Sequence, residues 1–386
     1  MPNAHIKKSN WLEFPYKYGK FHYKFKAVSK YDTLIMVESK ESNFFLQVIE
    51  KENELLLKSD KITRPTNVKI LQDAMTGFIK ANNWHSFSSN INSNKNHMQK
   101  KSKYLRNIQE FISFSHPNPI QIEIGFGSGR HLLYQAKNNP QKVFIGVEIH
   151  KPSIEQLLKQ CELQKIENIL VLDYDARILL EVLNSNSIEK IYVHFPVPWD
   201  KKPHRRVISR DFLEAAIRVL SVGGKLEIRT DSENYFQYAK NLFLSLNKCE
   251  FTVKKNIDLK ISSKYEDRWK RMDKNIYDLN LNILEKSSKN NLIELEEFNA
   301  NINFKNIYDN FSNKIIRKNG YFVHFENIYK IDNKSGILKL SFGAYDRPEH
   351  KYLLLFEDKI SYFPDNLLPI WQNDNSNKII KEYLNA

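Results

Sequence analysis

The stretch Glu123-Ile124-Gly125-Phe126-Gly127-Ser128-Gly129, followed by Val143-Phe144-Ile145-Gly146-Val147-Glu148, decides how this chain is read. Residues 120 to 124 are apolar-rich and predict a buried strand, the three glycines let the backbone turn tightly, and Arg130 to Lys137 has helical composition. Strand, turn and helix in that order put a glycine-rich loop where a nucleotide-like cofactor binds. Glu148 closes a second strand, the place of an acceptor for ribose hydroxyls. Many βα turns use glycine simply for its positive φ, so the loop alone names no ligand.

Spacing narrows the choice. A dinucleotide fingerprint sets its glycines as GxGxxG, whereas here the third glycine comes one residue early, in the GxGxG form of S-adenosylmethionine-dependent methyltransferases. A nicotinamide dehydrogenase becomes the weaker reading.

Around this loop, strands and helices alternate. Pro152 suits a first helical turn, and Ile154, Leu157, Leu158 and Cys161 then fall at i, i+3, i+4, i+7 on one face, while Ile169 to Leu172 predicts a short strand. Phe212, Leu213, Ala216, Ile217 and Leu220 mark another amphipathic helix, which stops before Gly223-Gly224. Lys225 to Arg229 begins the next strand. This rhythm implies a mostly parallel sheet with ligands at the C-terminal ends of its strands.

The flanks differ. Residues 1 to about 64 alternate in short runs such as Phe21-His22-Tyr23-Lys24-Phe25-Lys26, the pattern of strands and hairpins. Asn67 to Ile79 predicts one helix, and Ser86 to Lys103 is a polar run expected to be a linker or mobile arm. Beyond residue 290, Tyr321 to Phe325, Ile337 to Phe342 and Tyr352 to Phe356 predict three strands. The expected domains are a β-rich module with its polar linker at 1–100, an α/β domain at 101–290 and a second β-rich module at 291–386. Lysines and aromatics interleave in both flanks, which suits either an RNA-binding platform or strand core.

Lysine plus arginine total 59 against 45 acidic residues, a formal net charge of +14. That balance favours phosphate-rich partners, although anionic membranes and compositional bias also accommodate it. Only Cys161 and Cys249 are present, so no disulfide framework is implied and a reducing cytoplasm is the expected compartment. Met1 to Glu13 lacks the apolar core of a signal peptide, and no apolar run reaches the ~18 residues of a membrane span. No metal is expected.

Further stretches complete the pattern. Ile191-Tyr192-Val193-His194-Phe195 leads into Pro196-Val197-Pro198-Trp199-Asp200-Lys201-Lys202-Pro203-His204-Arg205-Arg206-Val207. Arg229-Thr230-Asp231-Ser232-Glu233-Asn234-Tyr235 and Ser263-Lys264-Tyr265-Glu266-Asp267-Arg268 follow. With the glycine loop, these resemble the bacterial tRNA (guanine-N7-)-methyltransferases, whose pattern runs EIGxGxG, IGxE, DA, FPDPWxKxxHxxRR, TDxxxY and TKFExR. The match covers roughly residues 105 to 285 in order.

The resemblance implies a class I α/β methyltransferase domain with β-rich additions on both sides, using S-adenosylmethionine to methylate guanine N7 in the variable loop of tRNA. Glu123, Gly125, Gly127, Gly129, Glu148 and Asp175 would hold the cofactor, with Asp173 competing for the adenine-side role of Asp175. Lys201, Arg205, Arg206, Asp231, Ser263, Lys264, Tyr265 and Glu266 match the substrate set. Glu266 suits the N1–H and N2 donors of guanine. His204, Arg205 and Arg206, with Lys202, would grip phosphates if they do not simply form a solvated face.

Two positions depart from the family. Ser263 replaces threonine but keeps the hydroxyl. Val197 stands where the family has aspartate, and valine can neither accept a hydrogen bond nor balance charge. Asp200, three residues on, is the candidate substitute, so Asp200, Lys201 and Glu266 are the expected catalytic set. Two alternatives stay open: methylation of another RNA or a small molecule, and a catalytically inert RNA-binding protein.

Overall fold

A computed structural model of the chain describes residues 2–7, 10–91, 102–258, 261, 272–290, 292–298 and 302–385. The chain divides into two compact units, residues 1–101 with 293–386, and residues 102–292.

The N-terminal segment is an antiparallel array of β1 (Asn3–Lys7), β2 (Tyr16–Tyr18), β3 (Phe21–Val28), β4 (Thr33–Glu38), β5 (Asn43–Glu50) and β6 (Glu54–Ser59). Period-2 alternation sets its register: in β6, Leu55 and Leu57 are buried between partly exposed Glu54, Leu56 and Lys58. Helix α1 (Val68–Ala81) starts where the Asn67 side chain accepts the Lys69 N–H. Its Ile70, Leu71, Ala74, Met75 and Phe78 share one core with Tyr23, Phe44 and Leu46 of the sheet, each Ile, Leu, Met or Phe contributing roughly 1.5–3 kcal/mol on full burial. The polar run expected to be a linker opens as a strand instead. There β7 (Ser86–Ser89) pairs antiparallel with β1, all four residues exposed, because ladder hydrogen bonds need no apolar side chain. Residues 92–101 of that run lie outside the described residues.

The second unit follows the alternating rhythm: β8 (Leu105–Arg106), β9 (Ile120–Ile124), α2 (Arg130–Asn138), β10 (Val143–Val147), α3 (Lys151–Gln164), β11 (Ile169–Leu172), α4 (Ala176–Val182), β12 (Ile188–His194), α5 (Arg210–Val219), β13 (Leu220–Thr230), α6 (Glu233–Leu244), β14 (Glu250–Lys255) and β15 (Tyr277–Asn282). Its sheet runs β14-β15-β13-β12-β9-β10-β11-β8, parallel from β8 to β13, with β15 antiparallel to both neighbours. Strand order reverses between β9 and β12, which opens a crevice at the C-terminal ends of those strands. Helix α3 buries Ile154, Leu157, Leu158 and Cys161, the spacing read from sequence. Strand β13 begins at Leu220 rather than Lys225, since Gly223 at φ +79° lets the chain bulge between the pairs Ile188–Leu220 and Lys190–Lys225.

After residue 292 the chain returns to the first unit through α7 (Phe304–Asp309), β16 (Lys314–Lys318), β17 (Tyr321–Lys330), β18 (Gly336–Gly343), β19 (Glu349–Phe356), β20 (Lys359–Phe363) and α8 (Trp371–Asn385). The flanks expected as separate modules form one sheet, ordered β20-β19-β18-β17-β3-β4-β5-β6-β1-β7. Val28 of β3 opposes Lys330 of β17 at the join. Ala27, Leu34, Met36 and Phe45 pack there with Tyr329, Ile337 and Tyr352, and the Tyr352 hydroxyl donates to Asp60 Oδ1 at 2.8 Å.

Candidate active site

The glycine turn sits at the C-terminal end of β9. A Cβ at Gly125 would meet nothing within 4 Å and one at Gly127 only the Gly125 carbonyl at 4.0 Å, so the loop presents bare, open backbone. Gly129 is glycine for another reason, because a Cβ there would stand 2.6 Å from Leu157 Cδ1 of α3. The Glu148 carboxylate, at the end of β10, accepts the Gly127 N–H through Oε2 at 3.1 Å and the Ile149 and His150 N–H groups through Oε1. It therefore ties the turn to the start of α3. Past the end of β11, Asp175 caps α4 through the Arg177 N–H and pairs with the Arg177 guanidinium at 2.6 Å, while Asp173 pairs with Lys151 at 2.5 Å. Asp175 is the more exposed of the two acids.

The Pro-Val-Pro loop leaves the C-terminal end of β12 on the same sheet edge. Phe195 and Trp199, at φ +51° and +47°, bracket it in the left-handed region, a conformation that costs non-glycine residues roughly 1–3 kcal/mol each. Val197 is 60% exposed on the loop. Arg206 was expected to grip phosphates, but the structure places it inside: it is only 8% exposed. Its Nε donates to the Pro198 carbonyl at 2.7 Å, Nη2 meets Asp200 Oδ1 at 3.3 Å, and the guanidinium lies 4.6 Å from the Tyr238 ring centroid. Carbonyl, carboxylate and ring together outcompete solvent for this cation, so it braces the loop. Asp200 stays half exposed despite that contact. Lys201, Lys202, His204 and Arg205 remain exposed, with Arg205 over the Trp199 ring. Asp231, beyond β13, pairs with Lys274 at 3.1 Å. Ser263, Lys264, Tyr265 and Glu266 lie outside the described residues.

Glu123 shows a partner that sequence reasoning missed. Its Oε2 lies 2.8 Å from His131 Nδ1 of α2, both side chains buried, so that oxygen already has a protein partner. Glu123, Tyr192 and Glu227 align in one row across β9, β12 and β13. His194 and Lys190 contact Glu227 at 2.9 and 2.7 Å, and the His131 and His194 rings are 4.6 Å apart. Burial works against the Glu227 charge, yet the hydrogen bond from His194 and the charge of Lys190 hold its carboxyl far below the usual range. His131 moves up: burial opposes its proton, but the charge and hydrogen bond of Glu123 prevail. A cavity of about 390 Å³ opens beside His131, Lys190, Tyr192 and Glu227. The available signal was polar residues at alternate positions of strands that, in a parallel sheet, usually read apolar throughout.

A family model described as "Putative methyltransferase" matches residues 117–279. A tRNA (guanine-N(7)-)-methyltransferase of Wolinella succinogenes is 43% identical, covering 92% of this chain and 91% of its own. One of Campylobacter jejuni is 41% identical over 100% of this chain and 98% of its own, and one of Helicobacter pylori 39% over 97% and 95%. The chain belongs to the tRNA (guanine-N(7)-)-methyltransferase family. The match to these methyltransferases takes in the β-rich unit as well as the α/β unit. Among solved structures, an rRNA methylase from Streptococcus thermophilus is 13% identical, with a TM-score of 0.33, covering 46% of this chain and 94% of its own. Among the described residues, no helix of this methyltransferase is long and apolar enough to cross a membrane, and no group of three potential metal ligands occurs.

Proposed function

We propose that this methyltransferase transfers a methyl group from S-adenosylmethionine to N7 of a guanine in the variable loop of tRNA. The observation that carries the reading is full-length similarity to enzymes of that name, coinciding with an open glycine turn and the Glu148 carboxylate at adjacent strand ends. The bare backbone at Gly125 and Gly127 fits the amino-acid part of the cofactor, Glu148 suits the ribose hydroxyls and Asp175 the adenine side. When bound, S-adenosylmethionine supplies an electrophilic methyl group on a sulfonium.

Guanine N7 carries a lone pair and no proton, so the transfer needs no general base. The residues must align the base and stabilise the cation that forms. A valine at 197 is compatible with that demand. Asp200, oriented by Arg206, offers a carboxylate to the developing positive charge. Glu266 would accept from N1–H and N2 of guanine, with Asp231, Ser263, Lys264 and Tyr265 around it. Lys201, Lys202 and Arg205, all exposed, suit phosphates. Two free thiols suit the reducing cytoplasm where tRNA resides.

Tritiated S-adenosylmethionine with bulk tRNA lacking the modification tests the reading: label should appear in 7-methylguanosine. RNA binding without incorporation would favour an inert binder, which Val197 makes worth testing, and label in another acceptor would redirect the substrate.

A further inference from the structure

The β16–β17 hairpin carries a surface that methyl transfer in the α/β unit does not use. We propose that this hairpin holds unpaired nucleotides of the RNA substrate, stacking bases on its exposed aromatic pairs and neutralising phosphates with its free cations. The proposal rests on tRNA being the substrate. Register pairs Lys318 with Tyr321 and Arg317 with Phe322, so the hairpin turns at Asn319-Gly320 and β17 side chains alternate between its faces. On one face Phe322 stacks on Tyr345, centroids 5.5 Å apart at 22°. Tyr345 is 52% exposed, yet its hydroxyl donates to the Lys318 carbonyl at 2.9 Å, which fixes the ring on the hairpin. On the other face Tyr321 meets Trp371 edge-on at 5.5 Å, and Trp371 is 50% exposed.

Single exposed aromatics are ordinary, but two ordered pairs, one on each face of a single hairpin tip, with exposed Ile315 on the Phe322 face, leave ring surface on both sides for a partner to cover. The charge pattern selects the partner. Arg317 and Lys318 are exposed and make no ion pair among the described residues, and Lys314 lies over the Tyr383 ring. Neighbouring carboxylates already have cationic partners, Glu326 in Lys339 and Asp346 in Arg347. A second copy docked face to face would set these cations against themselves, and an apolar protein surface would desolvate them unpaired. RNA satisfies both halves, since bases offer planar faces and phosphates offer negative charge.

The test uses the full-length chain and fluorescence anisotropy with unmodified tRNA, a single-stranded RNA oligonucleotide and a blunt RNA duplex. Trp371→Ala and Tyr345→Ala should each raise the tRNA Kd roughly 5- to 100-fold, with Trp371→Phe recovering most of the loss. The double variant Arg317→Glu, Lys318→Glu should lower the log–log salt slope by roughly 1.4 to 1.8. S-adenosylmethionine affinity and Tm should not move, the oligonucleotide should show the same losses, and the duplex should show less dependence on the aromatics. In methylation assays the variants should raise KM for tRNA and keep kcat. Unchanged tRNA Kd and slope in folded variants would overturn the proposal, as would no tRNA binding by the wild-type chain, or hairpin-dependent binding only to anionic vesicles or a protein. Hairpin-dependent tRNA binding without methyl incorporation would instead sink the substrate reading and leave the hairpin as an RNA site.

Discussion

His131 Nδ1 stands 2.8 Å from Glu123 Oε2, and both side chains are more than nine-tenths buried. The pair joins α2 to β9 two residues before the glycine turn, so its charge state bears on the geometry of that turn. His131 has its pKa raised in the folded state, so its protonated form contributes stability that is fully present below the unfolded value of about 6.5 and is lost as pH rises through the folded value. Chemical denaturation from pH 6 to 9 should show stability falling across that window in the wild type, and the slope should flatten in His131→Gln. An equal slope in both proteins would remove His131 as its source.

His131→Ala should be the harsher change. It leaves a buried carboxylate without its cation, at a cost of about 3–5 kcal/mol. A variant with wild-type Tm at pH 6.5 would mean that Glu123 relaxes to solvent.

Arg205 and Arg206 are neighbours with opposite expected phenotypes. Arg206→Ala removes the brace on Pro198 and Asp200 and should lower stability by about 1–3 kcal/mol together with kcat. Arg205→Ala should leave Tm unchanged and reduce the salt slope of tRNA binding by roughly 0.7 to 0.9. Melting curves and salt titrations of both proteins decide it, and a reversed pattern would exchange the two roles.

Glu148→Ala should weaken S-adenosylmethionine binding by about 1–3 kcal/mol, because it removes a charged acceptor and unties the turn at Gly127. Calorimetry finding unchanged affinity in a folded variant would take Glu148 out of the site.

Glu266→Gln should lower methylation while leaving cofactor affinity nearly intact, since an amide presents a donor where an acceptor oxygen is required. Parallel loss of both would mean that Glu266 supports the cofactor pocket instead.

The α/β unit was legible because its signals are local. The glycine turn, the i, i+3, i+4, i+7 face of α3 and the strand that runs up to Glu148 each lie within a short window; the first two stand where they were read, and the strand ends at Val147, one residue before Glu148. What escaped depends on distant partners. Arg206 looks like its neighbour Arg205 until Pro198, Tyr235 and Tyr238 close around it. Helix α8 hid because its buried face includes Asn373, Asp374, Ser376 and Asn377, residues that a hydrophobic pattern counts as solvent-facing. The pairing of Val28 with Lys330 spans some three hundred residues and leaves no periodicity to read.

That pairing makes the α/β unit an insertion within a β fold, and it sets an order of events during synthesis. Ribosomes adding ~5–20 residues per second deliver residues 102–292 between the halves of the sheet, a wait of roughly 10 to 40 s. Throughout it, the Val28 end of β3 lacks its β17 partner, and Leu34, Met36 and Phe45 lack Tyr329, Ile337 and Tyr352. A translation-arrested chain ending before residue 314 should be cleaved by protease within residues 1–91, where the finished chain resists; equal resistance would show that the N-terminal strands close alone. The nascent protein is thus most vulnerable to aggregation after its catalytic unit has formed and before its last strands emerge.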